Sequence, residues 1–178
     1  MEPNANPWKA NLTNGLILGL VGVVYSLATY FFDLTLNKSV GYIFLVFEIV
    51  VLYFLVKSYR DNYKHGMLSY GEALGAGLII CLYYAIIMAI FTYILYTIID
   101  KGLIDKQIAL SEELLEKKGM PQSAIDAGMA MQRKIMRPGI IAPLSIFGNM
   151  FFGLIISLII GAFVRKEGNP LEEKTTDQ

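Results

Sequence analysis

The chain has 178 residues, a formal net charge of zero and a pI near 6.6, with 55% hydrophobic residues, 17% charged residues and a mean hydropathy of +0.52. Soluble domains carry about 25% charged residues, and nucleic-acid binders show a basic patch or a high pI, so the composition argues against both classes. A single cysteine, Cys81, inside an apolar run, excludes an intrachain disulfide.

Residues 1–9 form a polar tail with Pro3 and Pro7, and Trp8 sits where an interfacial aromatic anchor is expected. No short apolar block is followed by an A-x-A-like cleavage site, so the first apolar segment is expected to stay as a membrane anchor. That segment, about 10–32, places Gly15, Gly19, Gly22 and Ser26 on one helical face, the pattern of a surface that packs on another helix. A glycine ligand loop would need a preceding strand, and there is none. A second span, about 40–56, carries Glu48 at its midpoint and is near the lower length limit for crossing. KSYRDNYKHGMLSY is expected as a link, with Lys57, Arg60 and Lys64 close together. The third span, about 70–99, opens SYGEALGAG and is about 45 Å long as a helix, more than the hydrocarbon core requires.

Residues 100–138 are the one large polar region. Ile104, Ile108 and Leu115, with Leu103, Leu110 and Leu114 on the adjoining row, recur at helical spacing with charges opposite. Gly119-Met120-Pro121 stops one helix and starts another, which presents Ile125, Met129 and Met136 flanked by Met131 and Ile135. The expectation is an amphipathic helical hairpin, lying flat in the headgroup layer or standing against the bundle ends. Its methionines either pack or form an adaptable partner-binding surface. The last span, 139–164, is an uninterrupted apolar run of about 26 residues, enough to cross a bilayer core. Ser145, Asn149, Gly153, Ser157 and Gly161 recur at every fourth position in it, a stripe where another backbone can approach. A polar, acidic tail follows, 167–178.

The fold class is therefore all-α: an integral membrane four-helix bundle with an amphipathic helical hairpin between spans three and four. Four spans put both termini on one side. The Lys and Arg tally over the two sides does not decide which, but the tight clusters abutting spans two and four (Lys57, Arg60, Lys64; Arg165, Lys166) favour termini inside.

Glu48 is the residue that needs a reason. Insertion scales put Asp, Lys or Arg at a span centre at about 2.5–3.5 kcal/mol, and Glu should cost similarly. It is expected to turn inward and be protonated, with Asn149, Tyr83, Tyr84 or Tyr25 as partner near the same depth. Two readings stay open: a buried polar clamp that fixes helix register, or a proton- or cation-responsive site. Glu72, in the first turns of span three, is expected as a solvated or paired charge near Lys57 and Arg60. His65 has no second ligand at metal-binding spacing. No Ser-His-Asp order, Walker loop, HExxH or paired-Cys motif occurs, so neither an enzyme nor a cofactor is expected.

The NGLILGLVGVVYS start, the KSYRDN link leading into Ser69-Tyr70-Gly71-Glu72-Ala73-Leu74-Gly75, and the MQRKIMRPG approach to the last span resemble a bacterial family, domain of unknown function 4199. The likeness runs from about Trp8 to Lys166 and implies a four-span inner-membrane protein with a helical segment before the last span. It supplies no catalytic residues. The leading expectation is a structural or accessory protein acting by helix packing or by binding a membrane-protein partner or a second copy of itself. The alternative is a small proton- or cation-coupled transporter or channel component using Glu48, although no internal repeat marks a usual transporter fold.

Overall fold

A computed structural model of the chain describes residues 6–167. Of the tails expected at 1–9 and 167–178, residues 1–5 and 168–178 lie outside the described residues, whereas residues 7–9 form the first turn of a helix that starts before the apolar run. Six helices follow in order: α1 (Pro7–Phe31), α2 (Lys38–Tyr63), α3 (Tyr70–Ile94, continued by a π-helical turn at Leu95–Ile99), α4 (Leu103–Lys117), α5 (Gln122–Ile135) and α6 (Pro138–Val164). Helices α1, α2, α3 and α6 are long and apolar enough to cross a membrane. Their outer faces carry large bare side chains such as Phe147 and Phe163, 74% and 75% exposed. Hydrocarbon, not water, is the solvent in which such faces are stable.

Helix α2 is longer than its apolar run. The segment expected as a link, 57–63, forms its last two turns. Nothing in KSYRDNY breaks a helix; the stop comes at His65 and Gly66, both at positive φ (52° and 79°), the left-handed exit common at helix C-termini. Hydropathy marks where lipid ends, and the helix continues past that point.

The chain divides into two compact units. The first holds α1, α2, the first half of α3 and the second half of α6. Along the α3–α6 seam, small residues let the backbones close: Gly153 faces Cys81, Ser157 faces Gly77 and Gly161 faces the Tyr70 ring. These pairs run in opposite sense along the two helices, so α3 and α6 are antiparallel. On α1, Gly15 lies directly against Tyr83, and Gly19 and Gly22 are buried on the same face. Asn11 and Asn14, absent from the sequence expectations, are buried there too. Asn11 donates to the Pro7 carbonyl, and Asn14 donates to Asn11 Oδ1 and across to the Leu55 carbonyl of α2. Buried amides in a spanning helix need such partners, because hydrocarbon offers none. Ser26 is half-buried, its carbonyl accepting from the Thr29 hydroxyl.

One end of this unit is tied together by polar contacts. Ser69 and Glu72 form a reciprocal cap at the start of α3: Glu72 Oε2 accepts from Ser69 N at 3.0 Å, while Ser69 Oγ accepts from Glu72 N at 3.4 Å. This is the capping-box pattern, readable in SYGE but treated above only as a charge. Glu72 Oε1 also pairs with Lys64 at 2.6 Å, not with Lys57 or Arg60 as expected. The carboxylate holds the Lys64 ammonium above its usual range. Arg60 Nη1 caps the last turn of α6 by donating to the Val164 carbonyl at 3.0 Å, and Leu68 and Lys166 exchange two backbone hydrogen bonds.

The second unit holds the rest of α3, helices α4 and α5, and the first half of α6. Helices α4 and α5 close on a small core of Ile108, Ile125 and Met129, with Ile104, Leu115 and Met136 packed against it. These are the leading apolar rows of the sequence reading. Ser145, part of the expected stripe, instead donates to the Ala142 carbonyl of its own helix. Asp100 starts α4: its carboxylate accepts from Gly102 N at 2.9 Å and pairs with Lys106 at 3.1 Å. The Lys106 ammonium and the Gly102 N–H hold this carboxyl below the usual carboxylate range. A group with a lowered folded pKa contributes stability above its unfolded value, about 3.9, and loses it as pH falls through the folded value. Below about pH 4 the start of α4 is therefore expected to fray, read as faster amide exchange over 102–106 after correction for intrinsic rates. Asp100→Asn should remove that pH dependence; an unchanged acid response in the variant would put its origin elsewhere.

Candidate functional site

Glu48 lies on α2, Tyr84 on α3 and Asn149 on α6, each roughly four helical turns from the end of the unit where Tyr63, Tyr70 and Val164 lie. Since α2 and α6 run the same way and α3 the opposite way, equal distances bring the three to one level. They line a cleft of about 420 Å³ together with Gly41, Tyr42, Phe44, Leu45 and Phe152. Glu48 is half-buried, Tyr84 is buried and Asn149 is half-buried. The Tyr84 hydroxyl is the hydrogen-bond partner of the Glu48 carboxyl. Among the described residues, no lysine, arginine or histidine lines the cleft, and the Asn149 amide has no hydrogen-bond partner.

The other two tyrosines named with Glu48 are directed elsewhere. Tyr25 donates to the Val40 carbonyl at 2.7 Å and stacks on Phe44, ring centroids 4.3 Å apart. Its ring thus backs one wall of the cleft without reaching the carboxyl. Tyr83 faces Gly15, donates to the Trp8 carbonyl at 3.3 Å and meets the Trp8 ring edge-on. Adjacent helical residues point about 100° apart, which is why Tyr83 and Tyr84 cannot both serve one site.

Two other features hold less chemistry. Cys81 and Ser157 are buried on the α3–α6 seam, where both are packed against glycine. A hollow of about 350 Å³ in the second unit is lined by Ala89, Ile90, Tyr93, Ile94, Gly139, Ala142, Pro143 and Ile146. Pro143 removes the N–H that would bond the Gly139 carbonyl, but the lining is mostly apolar and carries no charged side chain. Among the described residues, no group of three His, Cys, Asp or Glu side chains could hold a metal.

The four apolar helices fit the four-span membrane protein expected from the sequence. The model of the family described as protein of unknown function (DUF4199) matches residues 13–166. The chain belongs to this family. No curated protein and no solved structure matches it. The DUF4199 match covers every residue of the cleft and both helices of the hairpin. It assigns no role to them, so function must be argued from the geometry.

Proposed function

We propose that this DUF4199 protein is a non-enzymatic accessory protein of the bacterial inner membrane, with both termini cytoplasmic, that binds a membrane-protein partner through its α4–α5 hairpin. The observation that carries this reading is that the hairpin closes on its own core of Ile108, Ile125 and Met129 and still leaves Met120 and Met131 bare, 40% and 59% exposed. Exposed methionines are polarisable and adapt to varied surfaces. Support for the orientation comes from Lys57, Arg60 and Lys64 near the end of α2 and Arg165 and Lys166 just after α6, two basic clusters beside spans. A photoreactive residue at Met131 is expected to give one discrete protein adduct in cells, lost when Met120→Glu is added and membrane insertion is unchanged. Its mass distinguishes a different partner from a second copy of this chain. Adducts to lipid alone would overturn the proposal.

The cleft favours a second reading, a proton- or cation-coupled transporter component with Glu48 as coupling group. A chain this short encloses little lumen, so conduction would need several copies. Proton-driven flux in liposomes is expected to fall in Glu48→Gln; unchanged flux there removes Glu48 as a coupling group.

A further inference from the structure

We propose that the Glu48 cleft binds a lipophilic organic ammonium from within the bilayer. A carboxyl group in a spanning segment has three usual companions: a cation, a set of donors that uses up its acceptor sites, or a ligand. Among the described residues no cation lines this cleft, and Tyr84 supplies one hydrogen bond to a group with about four acceptor positions. Asn149 stands at the same level, its amide without a partner among the described residues. A clamp evolved only to fix helix register would join these two groups; here they are left facing a shared space of about 420 Å³. That volume lies in the range of small-molecule sites, roughly 300–1,000 Å³.

The walls name the class of occupant. Phe44, Phe152, Tyr42 and Tyr84 line the same cleft as the carboxyl and give it aromatic walls. Ring faces attract cations, most strongly where water is excluded, and the same rings accept an aryl or alkyl body. Carboxylate, amide oxygen and tyrosine oxygen can together accept the N–H bonds of a primary ammonium. An anion would meet Glu48 with no counter-charge. A neutral apolar molecule would leave the Asn149 amide unpaired.

The ammonium could come from a free lipophilic amine or from an ethanolamine lipid headgroup. Depth favours the free amine. Glu48 lies about 12 Å along α2 from either end of its apolar run, Val40 and Val56, so a headgroup would have to be drawn below the interface to reach it. The inference concerns binding and stands whether or not transport occurs.

The full chain in phosphatidylglycerol nanodiscs is expected to bind 4-phenylbutylamine saturably and at least about tenfold more tightly than its neutral isostere 4-phenylbutanol, a difference of about 1.4 kcal/mol. Glu48→Gln should abolish that preference while keeping the helical content and thermal midpoint of the wild type. Asn149→Leu, which retains the charge, should weaken the amine severalfold. Equal binding of amine and alcohol, or an amine affinity unchanged in Glu48→Gln, overturns the proposal. Nanodiscs containing phosphatidylethanolamine separate the sources: a free-amine site keeps its affinity, and competition by this lipid reassigns the site to a headgroup and overturns the free-amine assignment. Should Glu48→Gln fold poorly, Tyr84→Phe tests the same preference through the second polar wall. An unchanged amine-to-alcohol ratio in that variant counts against the site.

Discussion

Gly153→Leu is expected to destabilise the protein by about 2–3 kcal/mol through overpacking. In a chain of this length that lowers the thermal midpoint by about 4–12 °C. The reason is the distance between α6 and α3: a Cβ placed at Gly153 would sit 2.7 Å from Cys81 Cβ and 2.8 Å from its Sγ, well inside van der Waals contact. Cys81 is itself buried, so it cannot swing into open space, and the helices must part. Parting them also disturbs the neighbouring contact, where Gly77 meets Ser157 Oγ and Cβ. The milder Gly153→Ala should be rescued by Cys81→Gly, which removes the opposing Cβ; thermal unfolding of the two single variants and the double variant measures this. Because the residues touch, their effects should be strongly non-additive. Simple additivity would mean that the seam is looser than its geometry indicates.

The double variant Glu48→Leu with Tyr84→Phe is expected to be more stable than the wild type, by about 1–3 kcal/mol. Two magnitudes decide the sign. Placing an acidic residue at a span centre costs about 2.5–3.5 kcal/mol on insertion scales, whereas an interhelical polar contact in a membrane returns about 0.6 kcal/mol on average. Glu48 makes one such contact, with Tyr84. Glu48→Leu alone should be close to neutral, because it leaves the buried Tyr84 hydroxyl without its acceptor at a cost of about 1–3 kcal/mol. Removing both partners together removes that penalty. Reversible unfolding in mixed micelles reads the difference. A loss of stability in the double variant would make Glu48 a register clamp and deprive the cleft of its functional interpretation. A gain places Glu48 among residues retained at the expense of stability, as functional groups commonly are.

Apolar length and period were enough to read the architecture. Four long hydrophobic runs can satisfy their backbones in lipid only as helices, and α1, α2, α3 and α6 are those runs. The hairpin was legible because Ile104, Ile108 and Leu115 repeat at helical spacing, and the same residues appear in its core. The end of α2 was not legible from hydropathy: Lys57 to Tyr63 are polar enough to leave the membrane yet remain helical. The Ser69–Glu72 cap could have been found from its spacing. Asn11 and Asn14 lie on the same face as Gly15, Leu18 and Gly22, a clue that a reading centred on glycine passed over.

By itself, the sequence determined that this is a four-span helical membrane protein, where its polar insertion folds, and that a carboxyl group lies deep in its second span. Each follows from local properties of the chain: run length, period and the cost of a charge in hydrocarbon. Tertiary structure alone decided that Glu48 meets Tyr84 and shares a cleft with Asn149, while Tyr83 turns to Gly15 and Tyr25 to the Val40 carbonyl. Those choices depend on the rotation and relative height of helices packed side by side. A rotation of 100°, one residue's worth, exchanges Tyr84 for Tyr83, and no local pattern in the chain records it.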